Sequence, residues 1–174
     1  MKAYIAAALT VALVGCGTAQ PFYGKTYQVT EPFDAQQAAE ALRPGPHTVR
    51  GSGFMRQAGG AVVTCAGETV RLIPATAYAL RHMTMIYGSS SYLEVGRAKI
   101  GAARVDPTPQ AFLELQRTTR CDAQGKFAFK GVAEGTFLIE LSVRWTAGFD
   151  DQGGLLMKRV VVGGAGDDDL VIAP

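Results

Sequence analysis

The sequence predicts an all-β fold: a β-sandwich of about seven strands, with a short helix before it and a helical insertion within it. Three observations carry that expectation. After residue 47 the chain is a series of short apolar runs separated by turn residues. Between residues 126 and 145 apolar and polar side chains alternate with period two, as in strands that bury one face. Glycine is frequent, 21 of 174 residues, which suits many tight turns. Apolar residues make up 48% of the chain, enough for a core, and the length fits one domain after a leader is removed.

The elements follow in order. Asp34–Leu42, DAQQAAEAL, reads as a short helix with Asp34 as N-cap, stopped by Arg43-Pro44-Gly45-Pro46. Val49–Met55 is a candidate strand, and Gly59-Gly60 marks a hairpin turn. Ala61–Cys65 and Thr69–Pro74 are the next strands, the second placing Val70 and Leu72 on one face and Thr69 and Arg71 on the other. Thr76–Tyr87 reads as a helix capped by Thr76 and broken by Gly88-Ser89-Ser90-Ser91. Residues 92–118 are poorly patterned, with a candidate strand at Ala98–Ala102, a loop at Pro107–Pro109, and Phe112-Leu113-Glu114-Leu115 leading into Arg117. Cys121–Gly125 is a turn. Lys126–Lys130 is a strand with Phe127 and Phe129 on one face, and Gly131–Gly135 turns again. Thr136–Trp145 is a long strand with Phe137, Ile139, Leu141, Val143 and Trp145 inward and Glu140, Ser142 and Arg144 outward. Burying each of the five inward side chains is worth about 1.5–3 kcal/mol before entropy is counted. Ala147–Gly154 reads as a loop. Leu156–Val162 and Leu170–Ile172 close the fold across a polar hairpin turn, GGAGDDD.

The first residues, MKAYIAAALTVALVGCG, have the form of an export signal: Lys2, then an apolar run from Ala3 to Val14 too short to span a bilayer, which takes roughly 20 apolar residues. Leu13-Val14-Gly15-Cys16 resembles the bacterial lipobox. The resemblance implies cleavage before Cys16, diacylglycerol on its thiol and palmitate-type acylation of the new N-terminus. An ordinary secretory cut near Gly17-Thr18-Ala19 and a buried N-terminal strand or helix are the alternatives. Residues 1–15 are then signal peptide and 16–46 a lipidated tether carrying the short helix. The expected location is the cell envelope, with the membrane reached through the N-terminal lipid. Gly17 after the lipid site points to the periplasmic face of the outer membrane. With Cys16 assigned to lipid, Cys65 and Cys121 remain as an even pair in an oxidising compartment. A disulfide there would contribute about 4 kcal/mol by the chain-entropy argument; two buried free thiols are the alternative.

The segment DAQGKFAFKGVAEGTFLIEL, residues 122–141, resembles the carboxypeptidase regulatory-like domains, which share a transthyretin-like (prealbumin-like) Greek-key β-sandwich. In that resemblance Asp122 and Gly125 form the tight turn, Phe127 and Phe129 enter the core, and Gly135 and Phe137 open the next strand. GGAVVTCAGETVRLIPAT, residues 59–76, resembles the early strands, whereas 77–118 looks like an insertion. The domain is placed at residues 47–174, and the whole is similar to uncharacterised bacterial lipoproteins that carry this module. In that family the module is non-catalytic and serves as a folding aid, spacer or binding unit.

Function is therefore expected to be binding or support without catalysis, with a hydrolase on a transthyretin-like fold as the less favoured alternative. The balance of 17 Lys and Arg against 15 Asp and Glu, without clusters, gives no electrostatic case for nucleic acid. Tyr78 and His82 lie four apart and share a helix face. Without a His-x-His nearby this is a weak iron pattern, and Tyr78 is expected in the core with His82 on the surface. Asp167-Asp168-Asp169 and Asp150-Asp151-Gln152 supply oxygen ligands of the calcium type, but solvated turns are the simpler reading. No cofactor and no metal site is expected. The expected partner is an envelope protein or a glycan. For a carbohydrate or small ligand the wall would be built from Tyr78, Tyr87, Tyr92, Trp145 and Phe149. Trp145, in phase with Val143, is expected in the core.

Overall fold

A computed structural model of the protein describes residues 24–88, 96–164 and 169–174. In chain order its elements are β1 (Lys25–Tyr27), α1 (Ala35–Ala41), β2 (His47–Arg56), β3 (Val62–Thr64), β4 (Thr69–Pro74), α2 (Ala77–Tyr87), β5 (Gly96–Ala98), β6 (Ala103–Val105), α3 (Gln110–Glu114), β7 (Arg117–Arg120), β8 (Lys126–Val132), β9 (Gly135–Ala147), β10 (Asp150–Val162) and β11 (Leu170–Ile172). The seven strands read from alternation and turns are present as β2, β3, β4, β8, β9, β10 and β11. The other four, β1, β5, β6 and β7, have three or four residues each, too few for a periodic pattern to register.

The strands form a sandwich. One sheet has the order β5-β10-β9-β4-β7. In the other, β2 is central: β11 runs parallel to it on one side, while β8 pairs with its first half and β3 with its end on the other side. Between the sheets, period-two alternation does its expected work. Phe137, Ile139, Leu141 and Val143 of β9 are all at most 1% exposed, and they meet Phe127 and Phe129 of β8 in one apolar cluster. Cys65, just after β3, is bonded to Cys121, just after β7, with Cα atoms 5.8 Å apart. The disulfide therefore fastens both ends of the segment that supplies β4, α2 and β7. The β7–β8 turn is set by Asp122, whose Oδ1 accepts from the backbone N–H of Gln124 and Lys126.

A second apolar layer lies on the outer face of the five-stranded sheet. Tyr78, Met83 and Tyr87 of α2 and Phe112 of α3 pack there on Ile73, Leu138 and Met157. The helix ends are those the sequence marks: Asp34 accepts from Gln37 N–H and Thr76 from Ala79 N–H. This layer corrects the reading of β9 as a strand with one solvated face. Leu138 is fully buried and Ser142 is 8% exposed. Glu140 points to that outer face and is held there, accepting from Tyr87 Oη at 3.0 Å and from Arg71 Nη1 at 3.4 Å. Burial pushes its carboxyl upward, and Arg71 and Tyr87 draw it back. The 77–118 segment is thus the second half of the core, and it supplies both edges of the larger sheet, β5 and β7.

Other expectations also change. Ala98–Ala102 is not a strand: β5 ends at Ala98, and a turn with Ala102 N–H donating to Lys99 O leads into β6. Ala147–Gly154 is not a loop. Thirteen residues of β9 pair with thirteen of β10, closed by Gly148-Phe149 alone, with Gly148 at φ 65° in the first loop position as tight hairpins demand. The last strand does not form a hairpin with β10, because β11 belongs to the opposite sheet. The expected tether is docked from Lys25 onward: β1 pairs in parallel with β6, Val29 and Phe33 pack on the outer layer, and Ala38 of α1 is 1% exposed. The signal peptide and Cys16 lie outside the described residues. Among those residues no helix is long and apolar enough to cross a membrane.

Candidate functional site: a groove on the projecting hairpin

Pairing of β9 to β4 ends at Leu141, and pairing of β10 to β5 ends at Leu155. Beyond those residues the hairpin continues as a two-stranded arm. The change coincides with Gly153, whose φ is 123° and at which a Cβ would lie 1.9 Å from Val143 O; only glycine lets β10 pass β9 this closely.

Along this arm lies a groove of about 720 Å³. Its lining includes Arg144 and Trp145 of β9, Asp151 and Gln152 of β10, and Arg97 and Lys99 from β5 and the turn after it. Trp145 and Gln152 are register partners, and the indole Nε1 donates to Gln152 Oε1 at 3.2 Å. The next pair repeats the motif on the other face, Thr146 Oγ1 donating to Asp151 Oδ1 at 3.2 Å. Arg144 Nε stands 3.8 Å from Glu68 Oε2, with 57% of the Arg144 side chain exposed. Chemically this is one aromatic edge among planar hydrogen-bonding groups and several cations.

The proposed aromatic wall is not assembled. Tyr78 and Tyr87 are 2% and 8% exposed in the outer layer, with burial pushing both phenols upward. Tyr92 lies outside the described residues. Phe149 is fully exposed at the tip of the arm. Of the four described, Trp145 alone lines the groove; it is half-buried against the edge of the sandwich core, not enclosed in it as its phase predicts, because its strand has left the paired part of the sheet there.

The other candidates separate similarly. His82 is half-buried, not a free surface residue. Its ring lies 4.8 Å from that of Phe112 and 5.8 Å from that of Tyr78, its Nδ1 meets no hydrogen-bond partner among the described residues, and burial lowers its pKa to about 4. Asp169 lines a smaller cavity of about 370 Å³ together with Arg50 and Lys126, so it faces cations; Asp167 and Asp168 lie outside the described residues. Among the described residues no group of three His, Cys, Asp or Glu side chains could hold a metal ion. Arg97, Lys99 and Arg144 were not legible as site residues. The first two sit in a segment without periodicity, and Arg144 reads as an ordinary outward residue of a strand.

The described residues therefore form a β-sandwich with a covered outer face and a polar groove on a projecting arm. No protein-family model and no curated protein matches the chain. Among solved structures it is similar to a crystal structure described as that of a "putative carbohydrate binding protein" from Pseudomonas aeruginosa, with a TM-score of 0.62 and 23% identity over 83% of this chain and 99% of that one. At that identity the likeness carries the fold alone.

Proposed function

We propose that this chain is a non-catalytic binding module of the bacterial cell envelope, anchored through lipid on Cys16, and that the groove beside Trp145 takes a saccharide. The observation that carries the reading is the placement of Trp145: a half-buried indole at a groove edge, hydrogen-bonded to Gln152 and flanked by Arg144 and Asp151. Pyranose rings present an apolar C–H face and a rim of hydroxyls. A fixed aromatic surface beside planar donors and acceptors matches both. The fold likeness to a structure described as a putative carbohydrate binding protein supports the same choice, as does the resemblance of residues 122–141 to a module family without catalysis. A protein partner is the second reading, favoured by Phe149, which stands fully exposed at the tip of the arm.

The chain has one tryptophan, so its intrinsic fluorescence reports on the groove alone. Titration with a panel of envelope and extracellular oligosaccharides should shift or quench that emission, and Trp145→Ala should abolish binding measured by calorimetry. Saturating binding that survives Trp145→Ala would refute the groove as the site. The anchor is tested separately: labelled palmitate should be incorporated by the wild type and not by Cys16→Ala.

A further inference from the structure

The charge around the groove has a consequence for ligand class. Arg97, Lys99 and Arg144 bring three cations to it and Asp151 one carboxylate. That carboxylate already accepts from Thr146. Arg144 has Glu68 at 3.8 Å, but Glu68 also accepts from Ser142 Oγ, so its negative charge is shared. The side chains of Arg97 and Lys99 have no ion-pair or hydrogen-bond partner among the described residues, and both residues are exposed. They are carried to the site by β5, whose register sets Arg97 against Leu156 of β10. The groove thus holds an aromatic edge within an uncompensated positive field.

We infer that the groove selects an anionic saccharide, one whose sugar rings carry carboxylates, over a neutral sugar of the same size; this rests on the saccharide reading above. A neutral ligand leaves the Arg97 and Lys99 charges solvated and gains nothing from them. A uronate places a carboxylate within reach of a guanidinium fork and an ammonium, which are suited to planar and point-like recognition respectively. The positive field also raises the encounter rate for a polyanion, an effect that salt screens.

The test uses the full mature chain with an oligogalacturonate, the same oligosaccharide after reduction of its carboxyl groups, and a polyglutamate of equal charge. The uronate should bind about tenfold more tightly than its reduced form, as expected for two exposed charge contacts. The preference should shrink in high salt and disappear in Arg97→Gln/Lys99→Gln, a pair of exposed residues whose replacement leaves the core intact. Equal binding of the uronate and its reduced form would overturn the inference and leave the saccharide reading standing. Binding of neither would overturn both. Polyglutamate binding as tightly as the uronate would show that the groove reads charge without the sugar, and would also overturn the inference.

Discussion

The two halves of the β9–β10 ladder use the same antiparallel pairing but differ in what surrounds them. From Gly135 to Leu141 the ladder lies between two apolar layers, with Phe137, Leu138 and Ile139 fully buried. From Ser142 to Ala147 it loses its neighbours on both edges and carries Arg144, Trp145, Asp151 and Gln152 to the groove. Backbone pairing alone thus does not decide whether a strand is scaffold or site. That depends on whether covering elements reach it.

The division can be broken by substitution. Phe137→Ala, in the covered half, should cost about 3–5 kcal/mol of unfolding free energy, as large-to-small changes in packed cores do. Denaturant titration would check this, and a loss below 1 kcal/mol would deny that half its role as scaffold. Replacing Cys65 and Cys121 together by alanine should cost about 2–5 kcal/mol while leaving ligand affinity in the arm unchanged, since the disulfide lies outside the groove lining.

A pH experiment sharpens the comparison further. Burial lowers His82 to about 4 from its ordinary 6.5. Between those values the unfolded chain binds a proton that the folded chain does not, so this residue's contribution falls as pH drops from 6.5 towards 4. The whole shift corresponds to about 3 kcal/mol. Glu140 has the opposite sign: its raised carboxyl favours the folded state at low pH and loses that advantage as pH rises through its folded value. The stability gap between wild type and His82→Phe, measured by urea unfolding at pH 7 and pH 4, isolates the histidine. It should move against the wild type at low pH; a gap independent of pH would show that the outer layer admits protons freely. Smallest in stability is Trp145→Ala, at about 1–2 kcal/mol for a half-buried indole, with binding nonetheless lost. The scaffold half would thus show large stability effects without binding effects, and the arm the reverse.

The covered half was largely legible. Alternation at Lys126–Lys130 and Thr136–Val143 places the inner core, and Asp34 and Thr76 announce the starts of α1 and α2, whereas α3 has no such cap. What alternation does not carry is what lies over the second face. Leu138 and Ile73 hint at the outer layer, since an apolar residue out of phase has no reason to be there if that face is wet. The start of β10 was missed because Asp150-Asp151-Gln152-Gly153-Gly154 has little intrinsic strand preference and is held extended by its partner. The groove was half legible: Trp145 was a candidate, but the cations that give it its character come from β5 and the turn after it, whose place beside β10 is fixed only by tertiary pairing.

The docking of β1 has a mechanical consequence. Tension applied to the chain ahead of Lys25 enters the fold through a parallel pair of only three residues and the side chains of Val29 and Phe33. The sandwich behind it is cross-linked and laced by a thirteen-residue ladder. Under load the small joint should part first, and residues 25–33, once drawn straight, would span about 30 Å at 3.3–3.6 Å per residue. The joint then acts as a fuse in series with the domain: a pull lengthens the connection before it distorts the sandwich.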